Sequence, residues 1–138
     1  MNSIGRTARA TELYRDAIEC EPNSNQYRER LGAHLQRIGK TTEAIKIWNS
    51  MAEGERLSAA SLMRLAEVFR VYGHSTRAAK AWQRASQYDL AISDRLKYAR
   101  FLRDTQAFDE ALEQLDEALK FAGSAEDRRL VLQARIDV

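Results

Sequence analysis

Gly5, Gly39 and Gly73 stand 34 residues apart, and other positions keep the same interval. Ala10, Ala44 and Ala78 share it, with Ala111 one residue early; four residues after each come Tyr14, Trp48, Trp82 and Leu115. Ala17, Met51, Ala85 and Ala118 follow three residues later. A period of that length marks a stacked-repeat architecture, because so small a unit can bury its apolar face only against its neighbours. With one proline and six glycines in 138 residues, the chain has few turn-formers for a β-rich fold. Its apolar residues recur at i, i+3 and i+4 rather than alternating. The expectation is an all-α solenoid that occupies residues 1–138 as one domain.

Each unit divides into two stripes. The first reads Leu31-Gly32 with Leu35, Leu65-Ala66 with Phe69, and Tyr98-Ala99 with Leu102. A large residue, a small neighbour and a second large residue one turn later lie on one helical face, and the small residue admits a close helix. The Ala, large, Ala set forms the second stripe. Between them lie Gly39-Lys40-Thr41, Gly73-His74-Ser75 and Asp104-Thr105-Gln106. Glycine there suits a left-handed helix ending, and the Thr or Ser after it is placed to cap the next helix. The unit is thus a helix, a tight turn and a second helix.

This order resembles the tetratricopeptide repeat (TPR). Ala10, Tyr14, Ala17 and Pro22 match the second half of that pattern, and Leu31, Gly32, Leu35, Gly39, Ala44 and Trp48 match most of the next unit. Met51 departs from it where a small residue is usual, Arg56 and Leu90 where proline is usual, and Gln106 where the turn glycine is usual. The third unit is one residue shorter, around Asp89–Ile92. The resemblance implies a right-handed superhelix of antiparallel helix pairs whose first helices line a concave groove. On this alignment Gly5 is a turn glycine that ends a stump of helix at residues 1–4. A half repeat then fills residues 1–23, with an orphan second helix at about 7–20. Full repeats cover 24–56, 57–90 and 91–123, and a terminal first-type helix, capped by Ser124, covers 125–138. That helix carries Leu130, Val131, Leu132, Ile136 and Val138, whereas terminal repeats of solenoids normally turn a polar face outward. Gln133 stands where its small residue is expected. Two readings follow: a fragment of a longer array, or a short protein whose ends pair with another copy.

In several peptide-binding TPR proteins the residue before the Leu-Gly pair faces the groove. Here it is Arg30, Arg64 and Lys97, joined further along the same helices by Arg37, Arg70, Arg100 and Arg103. These seven cations form a candidate basic stripe, accompanied by Glu29, Glu67, Asp94 and Asp104. The second helices carry acids, among them Glu12, Asp16 and Glu19, then Asp109, Glu110, Glu113, Asp116 and Glu117. Such a division of charge steers an anionic partner, and arginine holds a carboxylate in a two-bond fork. The alternative is a solvated helix surface whose cations pair with acids such as Glu67. The carboxylate clamp of chaperone-binding members does not fit: Glu29, Ala33, Arg64, Ser93 and Lys97 occupy its positions, and Glu29 would repel the ligand.

Nothing in the sequence points to catalysis. Cys20 is the one cysteine, so no intrachain disulfide or Cys-based metal site exists, and it reads as a small packing residue. His34 and His74 have no ligand spacing between them and read as ordinary surface or turn residues. Phosphate loops, nucleophile elbows and paired active-site carboxylates are missing. No cofactor and no metal are expected. No run of 18 apolar residues and no leader-like segment occurs, so no membrane insertion is expected and a cytoplasmic location is favoured. The leading expectation is a non-catalytic protein-interaction scaffold that takes an acidic or C-terminal peptide segment of another protein. Two alternatives stay open. One is RNA association, since Arg77–Ala85 and Leu96–Leu102 resemble half-a-TPR repeats, although Trp48 and Trp82 read as core and nucleic acid is disfavoured. The other is self-assembly into a homo-oligomer through the terminal helices.

Overall fold

The structure, a computed structural model, describes residues 3–138. Eight α-helices follow one another: α1 (Ser3–Cys20), α2 (Gln26–Arg37), α3 (Thr41–Asn49), α4 (Ala59–Val71), α5 (Ser75–Ala85), α6 (Ile92–Asp104), α7 (Phe108–Phe121) and α8 (Ala125–Asp137). Successive helices pack together, α5 meeting α6 through Trp82 and Tyr98, giving an all-α, TPR-like stack of antiparallel helix pairs. Pairs α2–α3, α4–α5 and α6–α7 are joined by tight turns, and two single turns of 3-10 helix, Ser50–Ala52 and Gly54–Arg56, link α3 to α4.

The three tight turns are copies of one hydrogen-bond pattern. Lys40, His74 and Ala107 each donate their backbone N–H to the carbonyl five residues back, on Leu35, Phe69 and Leu102, all at 2.8 Å. Gly39, Gly73 and Gln106 donate to Gln36, Arg70 and Arg103. The residue at the bend must be left-handed for both bonds to form, and φ is +85° at Gly39, +82° at Gly73 and +67° at Gln106. Gln106 therefore takes the glycine conformation in spite of its Cβ.

Four expectations need correction. Gly5 lies inside α1 rather than in a turn, and Ser3 and Ile4 belong to the same helix; residues 1 and 2 lie outside the described residues. The left-handed turn requires a helix that ends at the glycine, whereas α1 runs through Gly5, at a cost of about 1 kcal/mol relative to alanine. Thr41 and Ser75 are the first helical residues of α3 and α5, and the cap positions fall on Lys40 and His74, neither of which makes a side-chain cap bond. The turn spends one more residue than the spacing suggested. Cys20 is exposed as the last residue of α1 rather than packed inside. His34 is buried, at 4% exposure, between Thr11 (3.0 Å) and Arg37 (3.0 Å), so it is no surface histidine. The Ser124 cap is present, accepting from the Asp127 N–H at 3.0 Å. A capping box at Ser58 and Ser61, each side chain accepting from the other's backbone N–H, opens α4.

The core follows the two stripes. Leu31, Leu35, Leu65, Phe69, Tyr98 and Leu102 are buried on the first helices, and Ala44, Trp48, Ala78, Trp82, Ala111 and Leu115 on the second. The large ring of each second helix reaches the first helix of the following pair. Tyr14 meets His34 with centroids 5.9 Å apart, Trp48 meets Phe69 edge-on at 5.9 Å, and Trp82 stacks on Tyr98 at 5.3 Å. Aromatic contacts of this kind weld pair to pair as well as helix to helix.

Candidate functional site

α2, α4 and α6 are the helices that carry the sequence-derived cations, and α4 and α6 bound a concave surface of about 600 Å³. Arg64 and Arg70 enter it from α4, and Lys97 and Arg100 from α6. Its apolar lining is Ala60, Met63, Trp82 and Phe101. Four of the seven predicted residues are thus brought together. Arg103 and Arg100 line a smaller cleft of about 210 Å³ between α6 and α8. Arg30 and Arg37 are exposed on α2 but do not line the larger concavity.

Carboxylates accompany most of these cations. Arg64 forks onto Glu29 of α2, with Nε 2.9 Å from Oε2 and Nη2 on Oε1. Arg70 forks onto Glu67 at 2.9 and 2.6 Å. Lys97 stands 4.0 Å from Asp94, and Arg103 lies 3.2 Å from its neighbour Asp104. The hydrogen bond that Arg64 donates to Glu29 raises its guanidinium pKa above the ordinary value, and the one that Arg70 donates to Glu67 does the same for Arg70. The Glu67 carboxyl is correspondingly held below its usual range, first by the Arg70 hydrogen bond. Arg37 makes a different bond, to His34 Nδ1. Among the described residues, Arg30 and Arg100 make no ion pair, and of the two only Arg100 lines the concavity. The basic stripe is therefore a row of ion pairs, forked at Arg64 and Arg70, and among the described residues Arg100 is the one arginine of the concavity without a carboxylate partner.

Pairs this exposed are weak, about 0–1 kcal/mol each, so an incoming carboxylate can exchange with a resident one. What the arrangement offers is a row of directed donors over an apolar floor. The floor was not expected from the sequence. Met63 is one residue before Arg64, Phe101 is one before Leu102, and Trp82 reads as a core position. Trp82 is 7% and Phe101 6% exposed, so each keeps an edge at the concavity while packing its body inside. The signal for Trp82 was the aromatic position of the repeat itself, since a ring that bridges two pairs, as Trp82 does by stacking on Tyr98, lies under the groove between their first helices. In the runs Arg77–Ala85 and Leu96–Leu102, Trp82, Tyr98 and Phe101 are buried, which leaves no open ring face on which a base could stack.

Two further arginines are buried and structural. Arg28, 6% exposed, donates to the Ser24 carbonyl at 2.9 Å, and burial, followed by the nearby Arg56 charge, pushes its pKa down. Arg95, 7% exposed, donates to the Leu90 carbonyl at 3.1 Å, and its guanidinium lies 4.8 Å over the Phe121 ring. They brace the starts of α2 and α6. Among the described residues no three His, Cys, Asp or Glu side chains group as metal ligands, and no helix is long and apolar enough to cross a membrane.

Among solved structures the chain is similar to two crystal structures of MamA, a TPR-containing protein. One aligns with a TM-score of 0.56 and 16% identity, covering 97% of this chain and 87% of the other. The second aligns with a TM-score of 0.52 and 18% identity, covering 98% and 78%. No protein-family model and no curated protein sequence matches the chain. At these identities the likeness establishes a TPR-like helical fold.

Proposed function

We propose that this chain is a non-catalytic protein-interaction scaffold that holds an extended, acidic segment of another protein across α4 and α6. The observation that carries the reading is the concavity itself, where Arg64, Arg70, Lys97 and Arg100 surround Met63, Trp82 and Phe101. An acidic side chain fits Arg100, which has no carboxylate of its own, and gains a charge-assisted hydrogen bond there. A bulky apolar residue beside it fits the floor. The preferred segment is therefore mixed, acidic next to apolar, rather than a plain acidic run, because Glu67, Asp94 and Asp104 also line the surface and repel a polyanion.

Affinity selection from a random peptide library tests this, run on the wild type beside a Lys97→Glu/Arg100→Glu variant. The wild type should enrich acidic-apolar sequences. Synthetic versions of those peptides should bind the variant about tenfold more weakly or worse, the scale of one lost charge-assisted hydrogen bond. Equal enrichment by both proteins, or selection of basic peptides, would refute the reading. Circular dichroism of the variant should be unchanged, since both side chains are exposed.

A further inference from the structure

The cleft between α6 and α8 repeats the concavity between α4 and α6 with other side chains. The cap positions before α4, α6 and α8 are Ser58, Ala91 and Ser124, 33 residues apart. At that interval the buried Val131 is the counterpart of Leu65 and Tyr98, and Gln133 that of Glu67 and Arg100 rather than of the small Ala66 and Ala99. Leu130 likewise stands for Lys97, Ala134 for Phe101 and Leu115 for Trp82. Where the larger concavity has a cation and two rings, the cleft has three aliphatic groups. It measures about 210 Å³, below the roughly 300–1,000 Å³ of small-molecule sites and suited to one side chain. Its polar rim is internally paired: Gln133 donates to Asp137 at 3.1 Å, and Arg103 meets Asp104 at 3.2 Å. Arg100 lines both hollows and, among the described residues, has no carboxylate partner. It stands on the crest of α6 between them.

We propose, on the basis of the acidic-apolar reading of α4 and α6, that the α6–α8 cleft takes a second apolar side chain of the same segment. The partner is then recognised by two apolar residues with one acidic residue between them. The acidic residue sits on Arg100. One apolar residue lies on Met63, Trp82 and Phe101, and the other enters between Leu96, Leu130 and Ala134 against the buried Leu115. Crossing α6 from one hollow to the other spans about one helix width, roughly 10 Å. An extended chain covers that distance in about three residues, at about 3.3–3.6 Å each. The two apolar residues are therefore about three positions apart. Leucine at position 130, in place of the cation that Lys97 supplies one unit earlier, leaves a second carboxylate no partner and favours an apolar group. The α8 side is thus the apolar end of the groove, and a uniformly acidic segment fits neither hollow.

The random-peptide selection, repeated with Ala134→Phe, tests this. Phenylalanine there restores the counterpart of Phe101 and fills the cleft. The wild type should enrich an acidic residue between two apolar residues about three positions apart. Synthetic peptides in which each apolar residue in turn is changed to serine should bind the wild type about tenfold more weakly, the scale of one buried apolar side chain. One of those two changes should make no difference to binding by Ala134→Phe, which has already lost that contact. Should Ala134→Phe lose helicity, Leu130→Lys, at an exposed position, addresses the same cleft. Enriched peptides with a single apolar residue overturn the second anchor. So do two serine changes that cost Ala134→Phe as much as they cost the wild type. If binding then still depends on Lys97 and Arg100, the reading of α4 and α6 stands without the cleft. No acidic-apolar enrichment by the wild type removes both.

Discussion

The α2–α3 and α6–α7 pairs are the same structural unit solved with different side chains. In the first, Gly32 leaves room for Trp48, whose indole is fully buried and donates Nε1–H to the Glu29 carbonyl at 3.2 Å. In the second, Ala99 stands at the glycine position and Leu115 at the tryptophan position. The space between two helices is shared: what the first stripe gives up the second fills, at near-constant total volume. The α4–α5 pair lies between these cases. Its Ala66 methyl occupies space that Gly32 leaves open, and Trp82, at 7% exposure, stacks on Tyr98 and keeps an edge at the concave surface. One methyl group thus helps decide whether the ring is wholly core or also part of the groove.

Breaking this comparison should have its largest effect at Trp48. Trp48→Ala removes a fully buried ring together with its contacts to Phe69 and Tyr72, and should cost about 3–5 kcal/mol in chemical denaturation. Trp82→Ala should cost less, since that ring is partly open. Equal losses would mean that the extra burial at position 48 carries no energy.

Gly32→Ala comes next. Alanine is the better helix former by about 1 kcal/mol. Its Cβ would nonetheless meet the indole at 2.0–2.4 Å, a net loss of about 1–3 kcal/mol. A sharper form adds Trp48→Leu to it, recreating the Ala–Leu combination of α6–α7. The double variant should then be more stable than the two separate losses would add up to, a coupling read from a double-mutant cycle. Simple additivity would show that the two positions do not share a volume.

The turns give a smaller contrast of opposite sign. Gln106→Gly should stabilise the protein by about 0.5–1 kcal/mol, because the left-handed conformation burdens only residues with a Cβ. Gly73→Gln should destabilise by a similar amount. No change in the thermal midpoint of either variant would contradict the φ of +67° at Gln106.

Acid should produce the smallest effect. Glu67 has a folded pKa below its unfolded value, so its contribution is present above about pH 4.3 and lost as pH falls through the depressed folded value. The pair is exposed, and the difference between wild type and Glu67→Gln at neutral and low pH should stay within about 0.5 kcal/mol. A larger acid-sensitive loss would assign the pair a structural role that its exposure does not suggest.

Much of the fold is legible in the chain because the repeat states it several times. Two glycines and Gln106, at intervals of 34 and 33 residues, mark the turns, and the stripes of an alanine followed four residues on by a large side chain mark what is buried. What escapes the pattern is whatever depends on a neighbour far along the chain. His34 reads as an ordinary polar residue, yet α1 covers it and Thr11 bonds to it, 23 positions earlier. Arg64 reads as a groove cation, but Glu29, 35 positions away, takes up its fork. Gly5 keeps the spacing without the helix ending that gives the spacing its meaning.

Periodicity by itself determined the all-α repeat class, the placement of the turns and most buried positions, because these depend on contacts within a unit or between adjacent units, at separations that a 34-residue period already encodes. Only the tertiary structure decided which cations are neutralised and which ring edges reach the groove. Those outcomes depend on how successive pairs rotate against one another, which the composition of a single unit does not specify.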